Sequence, residues 1–484
     1  MSVEHFDFTV LGSGPGGRAA AIQAAKAGKR VLVVERETAP GGACVQHGTI
    51  PSKTLRETAL ARQRFVARSG GVFDVPMRAD LQVASLMTRL GEVVQANQRI
   101  AADQLARNGV EVWLGHASFT SPTEVCVQQP GGRTRRASSE VTVIATGSRP
   151  RAPAEVRIDH EHVLDSDSLL SMAYLPRTLT VLGAGVIACE YATIFAALGV
   201  RVTLIDKGER PLSFLDPELT TRFLEVFEAA GGRFLGRRAL GAVEWDGVSE
   251  VVVTLEGGEE VRGEKLLCAL GRVANLDGLE VRAAGLEPNR RGLLEVDAHG
   301  RTSIPGIYAV GDVIGPPALA SAALEQGRRA VRHALGLPPD RTADTLPMAV
   351  YAIPELATVG LSEAEARARD GGAVVGRARF DELARGHIGA TQDGFLKMVA
   401  DERGRKLLGV QIVGDGASEL IHVAQMALVA GLGVESFVDN VFNFPTLAEA
   451  YRVAALDIAR QVAGGKDAVA WSSGSHAGSA TQGP

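Results

Sequence analysis

Cysteine is scarce in this 484-residue chain. The four residues, Cys44, Cys126, Cys189 and Cys268, lie far apart, with no Cys-x-x-Cys pair. That distribution argues against a zinc ribbon and a secreted disulfide framework and favours a reducing compartment, and no metal site is expected. Aromatic residues are few, at 5%. No apolar run reaches the roughly 18 residues that would suggest a membrane span. Charge of either sign is limited: the net value is −5, without a basic stripe, so nucleic acid is not an expected partner. The first residues, Met1-Ser-Val-Glu-His-Phe-Asp7, lack the basic and apolar regions of an export signal, and the expected location is the cytoplasm.

Glycine, by contrast, is plentiful, with 56 residues in a chain that is 45% apolar and 22% charged. The length exceeds what one core fills, so about two to four tightly packed α/β domains are expected. The first is legible near the N-terminus. Phe8-Thr-Val-Leu11 reads as a buried strand, Gly12-Ser-Gly-Pro-Gly-Gly17 as a tight turn, Arg18 to Ala27 as a helix, and Arg30-Val-Leu-Val-Val-Glu35 as a second strand. In such a βαβ unit Gly12 permits the turn, Gly14 lets a pyrophosphate approach, Gly17 lets helix and strand pack, and Glu35 can accept ribose hydroxyls. The pattern returns at Leu179-Thr-Val-Leu182, Gly183-Ala-Gly-Val-Ile-Ala188, a helix to about Leu198, and Val200-Arg-Val-Thr-Leu-Ile-Asp206. Gly12 to Glu35 and Gly183 to Asp206 each span 23 positions (35 − 12 and 206 − 183). Two matched units imply two dinucleotides, one held and one exchanged.

Between and beyond them, Val141-Thr-Val-Ile-Ala-Thr-Gly147 and Leu266-Leu-Cys-Ala-Leu-Gly-Arg272 read as strands ending in turns. Thr302 to Asp312 reads as a strand ending in an aspartate, with a helix N-cap as the plain alternative for Asp312. From about Leu346 short strands, Phe395–Ala400 and Leu407–Val413 among them, join helices expected over 419–430 and 447–463. This part is read as a packing or subunit-interface region. The stretch after Gly464 is too polar and glycine-rich to bury a core.

Taken in order, Gly12-x-Gly-x-x-Gly17, Gly41-Gly-x-Cys44, Pro51-Ser-Lys53, Ala145-Thr-Gly147, Gly183-x-Gly-x-x-Ala188, Gly271-Arg272 and Ala309-x-Gly-Asp312 form a series. It resembles that of the FAD-dependent pyridine nucleotide–disulfide oxidoreductases over residues 5 to about 463. The resemblance implies an α/β fold with two Rossmann-like dinucleotide-binding domains plus a C-terminal α+β dimerisation domain. FAD, bound tightly and non-covalently, would occupy residues 1–150 with 276–345, and NAD(P) would occupy 151–275. Dimerisation would fall to 346–465, and 466–484 would be a disordered tail. A homodimer or larger homo-oligomer is implied, with no membrane association.

Carried over residue by residue, the resemblance puts Glu35 on the adenosine ribose of FAD, Asp312 on the ribityl chain, and the backbone of Thr146 and Gly147 on the flavin. It adds Arg36, Gly42, Cys44, Thr49, Gly311 and Ala320 to the cofactor contacts, with Gly183, Gly185, Ala188, Asp206 and Gly271 serving the second nucleotide. Lys53 and Glu190 would pair beside the flavin ring as the catalytic residues. From the sequence alone each would read as a solvated helix charge. Asp206 suits a 2′-hydroxyl and opposes a 2′-phosphate, an opposition that Lys207 and Arg210 could offset; their plain reading is solvated turn charges.

Two departures from the family pattern decide the expected chemistry. The family's Cys-x4-Cys is Cys44-x4-Thr49 here, and a hydroxyl forms neither disulfide nor low-pKa thiolate. The family's His-Pro-Thr-x-x-Glu is Phe444-Pro-Thr-Leu-Ala-Glu449, and phenylalanine moves no proton. Glu449 is then read as part of a capping box with Thr446, and Cys44 as a packed thiol. Within the family the segments 44–53, 165–171, 214–216 and 442–456 are similar to the soluble, Si-specific transhydrogenase branch. That likeness implies FAD-dependent hydride transfer, NADPH + NAD⁺ ⇌ NADP⁺ + NADH, by a ping-pong route through the flavin, with NAD(H) and NADP(H) as substrates and no redox disulfide. The alternatives are a diaphorase passing electrons to a quinone, a disulfide reductase pairing Cys44 with a distant cysteine, and a flavin-binding regulator without turnover.

Overall fold

The computed structural model describes residues 2–69, 83–338 and 345–463. The expected tail at 466–484 lies outside the described residues.

Strands Glu111–Leu114, Val31–Glu35, Val3–Leu11 and Thr134–Ile144 lie side by side and parallel, and Ile307–Ala309 adds in parallel to the last of them. The far edge continues as an antiparallel pair, Glu124–Gln128 and His116–Ser121. The turn after the first strand forms because Gly12 takes φ +98°, and a Cβ there would sit 2.5 Å from the Ala145 carbonyl oxygen. Helix Pro15–Lys26 follows and packs on helix Ala320–Ala334. The helices approach closely because Gly16 and Gly327 carry no side chains: a Cβ on Gly327 would fall 2.1 Å from the Gly16 carbonyl oxygen.

The second sheet is also parallel, in the order Arg233–Leu235, Arg201–Ile205, Thr178–Leu182, Lys265–Cys268, Val163–Leu164. Helix Val186–Ala197 and helix Pro217–Ala229 pack around it through Phe195, Phe223 and Phe227, all buried. Each such side chain contributes about 1.5–3 kcal/mol on burial. An antiparallel hairpin set, Leu240–Trp245, Val251–Leu255 and Glu260–Gly263, closes one end. Strand Arg272–Ala274 pairs with Ser148–Pro150, joining the chain on its way out of the second sheet to the chain on its way in.

The third layer is a five-stranded antiparallel sheet, in the order Met348–Val350, Leu356–Gly360, Leu407–Val413, Phe395–Asp401, Ala373–Arg379. Helices Ala417–Ala430 and Glu449–Val462 contribute to its core, tied by the Tyr451 hydroxyl donating to the Leu420 carbonyl at 2.6 Å.

Two expectations need correction. Over 302–312 only Ile307–Ala309 is strand. Pro305-Gly306 turns the chain, and Thr302 closes the turn by donating to the Ile307 carbonyl at 2.8 Å. The capping box of the last helix forms by half. The Glu449 carboxylate accepts from the Thr446 N–H at 3.2 Å, but the Thr446 hydroxyl donates to the Asn443 carbonyl.

Candidate functional site

The two glycine turns face one continuous cleft of about 1470 Å³, lined also by the third layer through Met348, Tyr351 and Ser418. Single-ligand pockets commonly measure about 300–1,000 Å³, so the space suits more than one extended ligand.

At the first turn, Glu35 ends its strand almost fully buried, with relative exposure of 4%. Its Oε2 accepts from the Ser13 N–H at 2.9 Å and from the Ser13 hydroxyl, and Oε1 accepts from the Glu37 N–H. Gly12, Gly14, Arg36, Gly42, Cys44 and Thr49 line the cleft, as do Thr146, Gly147, Gly311, Asp312 and Ala320. Gly17 does not line it; a Cβ there would lie 1.9 Å from the Gly12 carbonyl oxygen, so its part is steric. Asp312 sits inside the 3-10 turn Gly311–Ile314 and does not cap it: the Ser148 hydroxyl donates to its Oδ2 at 2.6 Å, and Arg272 Nε donates to that hydroxyl at 2.7 Å. The carbonyls of Thr146 and Gly147 are both taken by Asn275.

These residues fit a dinucleotide such as FAD on two observations. The buried Thr146 Oγ1 has no hydrogen-bond partner, a costly state for a polar atom. A Cβ on Gly14 would meet only Gly42 Cα at 4.0 Å, leaving backbone open for close approach.

Deeper in the cleft, Lys53 and Glu190 meet, and the reading of both as solvated charges is overturned. Lys53 Nζ donates to Glu190 Oε2 at 2.7 Å, and the carboxylate is 6% exposed. Glu190 Oε1 accepts from the Tyr351 N–H at 2.9 Å, and the Lys53 ammonium stands 4.8 Å from the centre of the Tyr351 ring. Three parts of the chain thereby fix one ion pair. Close behind it, buried Arg56 donates to Glu355 at 2.8 Å and to the Ala352 carbonyl at 3.1 Å, holding the 352–355 segment in place.

The second turn repeats the first. Gly183 and Gly185 line the cleft, and Asp206 Oδ2 accepts from the Ala184 N–H at 2.9 Å while Oδ1 accepts from the Gly208 N–H at 2.6 Å. Lys207 and Gly271 line the cleft as well, but Arg210 and Ala188 do not. Arg210 Nη1 donates to the Thr220 hydroxyl, tied by the turn to helix Pro217–Ala229, and Ala188 is buried in its helix. Arg238, which no motif marked, lines the cleft and Arg210 does not.

All four cysteines are free: Cys189 is buried and its thiol pushed well up by that burial, and Cys44 is half-buried on the cleft wall. Sequence reasoning missed Tyr351, Asn275, Asp167, Tyr191 and Arg238. Of these, Tyr191 places a buried, unpartnered hydroxyl at the cleft, and burial raises the Asp167 carboxyl above its usual range. The Gly271-Arg272 motif contained a signal for the Arg272–Ser148–Asp312 relay; nothing local marked Tyr351 or Arg238.

Residues 6–327 match the family model described as pyridine nucleotide-disulphide oxidoreductase, and residues 346–455 match its dimerisation domain. A protein from Mycobacterium tuberculosis named soluble pyridine nucleotide transhydrogenase is 41% identical over 459 residues, covering 94% of this chain and 97% of that one. A protein of the same name from Hahella chejuensis is 40% identical over 462 residues, covering 94% and 99%. Among solved structures, LpdA from Mycobacterium tuberculosis superposes with a TM-score of 0.86 at 28% identity, covering 94% and 99%. The HOCl-induced flavoprotein disulfide reductase RclA from Escherichia coli gives 0.84 at 26%, with the same coverage. With both models matched in order and the relatives aligned nearly end to end, the chain belongs to the pyridine nucleotide-disulphide oxidoreductase family.

Proposed function

We propose that this flavoenzyme transfers hydride between NADPH and NAD⁺, using one nicotinamide position twice and no redox disulfide. The observation that carries the reading is the Lys53–Glu190 pair, kept intact in a cleft whose wall has Thr49 five residues after Cys44. The names of the curated relatives support it. Bound FAD would supply the hydride acceptor and donor. The Gly12–Gly17 turn, Glu35, Thr146 and Asp312 would hold it.

The chain's own residues then have defined tasks. Glu190 is anchored at both oxygens, so it holds the Lys53 side chain at one place in a partly buried site. A fixed cation there favours developing negative charge without reorganising at the moment of transfer. Tyr351 supports the ammonium from one side through its ring face. Thr49 offers no thiol to take the electrons, and Phe444 offers no base to move a dithiol's proton. One cleft serving both nucleotides in turn gives ping-pong kinetics.

The exposed apolar side chains of the third layer, including Met426 (63%) and Phe444 (75%), support a homodimer. Light scattering on a sizing column would test it. A cytoplasmic location goes with four free thiols. Among the described residues no helix is long and apolar enough to cross a membrane.

The test of function mixes the purified yellow protein with NADPH and thio-NAD⁺ and follows reduced thio-NAD⁺ by absorbance. Fast multiple turnover with parallel double-reciprocal lines is expected. Bleaching of the flavin by NADPH without turnover would sink the reading and point to a non-nicotinamide acceptor such as a quinone.

A further inference from the structure

A site that accepts both NAD(H) and NADP(H) must tolerate a ribose 2′-phosphate beside Asp206, an acid that repels it. Lys207 is exposed next to that acid and offers a single charge. Arg210 is held by Thr220. Arg238 enters from the next strand connection. Its backbone N–H donates to the Asp206 carbonyl at 3.0 Å, and the neighbouring Arg237 N–H donates to the Gly208 carbonyl at 2.9 Å. The peptide that carries Arg238 is therefore stitched to the tip of the second nucleotide unit, and Arg238 lines the cleft beside Asp206 and Lys207.

The guanidinium is half exposed and rests on Glu259, with Nε 3.3 Å from Oε2. The same carboxylate also faces Arg233, 3.9 Å from Oε1. Glu259 would thus keep a cationic neighbour if Arg238 left it, so departure does not strand a bare charge. An exposed pair of this kind contributes little and so is readily exchanged for another partner. A guanidinium presents the planar fork that matches a phosphate bidentately, which the Lys207 ammonium does not.

We propose that Arg238 is the specificity-determining residue for the 2′-phosphate: it is parked on Glu259 when NAD(H) occupies the cleft and forks onto the phosphate when NADP(H) does. Asp206, its carboxylate steadied by two backbone N–H groups, remains for the 2′-hydroxyl of NAD(H). The site then changes its contacts, not its fold, between the two substrates. This inference rests on the second unit binding both nucleotides, as the proposed function requires.

The experiment measures binding to the flavin-loaded protein by calorimetry, with adenosine 2′,5′-bisphosphate and 5′-AMP as probes. Arg238→Ala is expected to weaken the bisphosphate by about tenfold or more, as loss of a charge-assisted fork does, and to leave 5′-AMP within about twofold. Arg238→Lys should recover part of the loss, and Glu259→Gln should leave the bisphosphate as tight as before or tighter. Equal weakening of both probes by Arg238→Ala, or weakening of neither, overturns the assignment. Weakening of the bisphosphate by Glu259→Gln overturns the parking role. The probes need no turnover. If wild-type protein fails to reduce thio-NAD⁺ yet keeps the Arg238 contrast, the transhydrogenase reading falls and this assignment stands; turnover without the contrast removes this assignment alone.

Discussion

The two nucleotide units of this chain repeat one backbone and differ in what closes around it. Gly12 and Gly183 both take φ +98°, and a Cβ on either would lie 2.5 or 2.6 Å from the carbonyl oxygen of Ala145 or Ala269 on the neighbouring crossover. The N–H of the residue after each glycine reaches the strand-ending acid at 2.9 Å, from Ser13 to Glu35 and from Ala184 to Asp206. Beyond that the units part. Glu35 is buried, and the Ser13 hydroxyl both donates to it and accepts from the Gly41 N–H at 3.0 Å. Asp206 is half-buried, has no hydroxyl beside it, and stands among Lys207 and Arg238 on an open rim. The first unit also carries a second helix pressed onto its own through Gly16 and Gly327. A desolvated, multiply bonded acid in a closed wall favours slow ligand loss, whereas a solvated acid with movable cations favours exchange. The same turn thus serves a retained group and a passing one.

The largest effect expected from breaking this comparison comes from Gly17→Ala. A Cβ 1.9 Å from the Gly12 carbonyl oxygen forces helix from strand, at about 3 kcal/mol or more for overpacking in a tight site. Flavin absorbance per chain after gel filtration should fall to a small fraction of wild type. Full occupancy would mean the first turn is looser than its geometry.

Lys53→Ala strands the buried Glu190 carboxylate and removes the fixed cation. Flavin reduction by NADPH in stopped flow should slow about a hundredfold, the order found when one preorganised electrostatic contact is lost. An unchanged rate would take Lys53 out of the chemistry. A smaller change is expected from Asp206→Asn. The amide keeps one acceptor and relieves repulsion of a phosphate, so the ratio of Kd for NAD⁺ to that for NADP⁺ should rise about tenfold. The matching Glu35→Gln should instead show itself in flavin retention, with nucleotide preference unmoved.

Much of this arrangement was legible beforehand because it is local. The glycine spacing, the short apolar strands and the acids at strand ends all lie within about 30 residues of one another, where steric and hydrogen-bond rules act on neighbours. The C-terminal strand pair Phe395–Asp401 with Leu407–Val413 was legible for the same reason. What escaped depends on contacts between distant segments. Tyr351 reaches Glu190 across 161 positions, and Asn275 reaches Thr146 across 129. Arg210 misled because proximity in sequence to Asp206 did not specify direction; the turn hands it to Thr220, and the cleft receives Arg238 from the next strand.

The second unit is also tethered to the third layer, and acid should loosen that tether first. Buried Lys397 donates to Asp216 at 2.9 Å and to Glu218 at 2.5 Å, and Glu218 also takes a fork from Arg377. The Arg377 bonds, with help from Lys397, hold the Glu218 carboxyl down at about 2, from an ordinary value of 4.5. A depressed folded value contributes stability that is fully present above about 4.5 and is lost as pH falls towards 2. Glu218→Gln should therefore flatten the melting temperature against pH across that window and change it less at pH 7 than solvent-free arithmetic suggests, since Glu218 is partly exposed. An unaltered acid limb would place the acid-sensitive groups elsewhere.

The smallest effect expected is also the most direct test of equivalence between the units. Ala188 occupies the place of Gly17, so the second helix stands off its strand enough to admit a methyl group. Ala188 is fully buried and does not itself line the cleft. Ala188→Gly should then cost about 1 kcal/mol through helix propensity and leave both nucleotide affinities unmoved. A selective gain in NAD⁺ binding would mean that the methyl group sets how far the helix N-terminus stands from the phosphates. In that case the third position of the motif would tune the nucleotide as well as the packing, and the difference between the two units would begin there rather than at their rims.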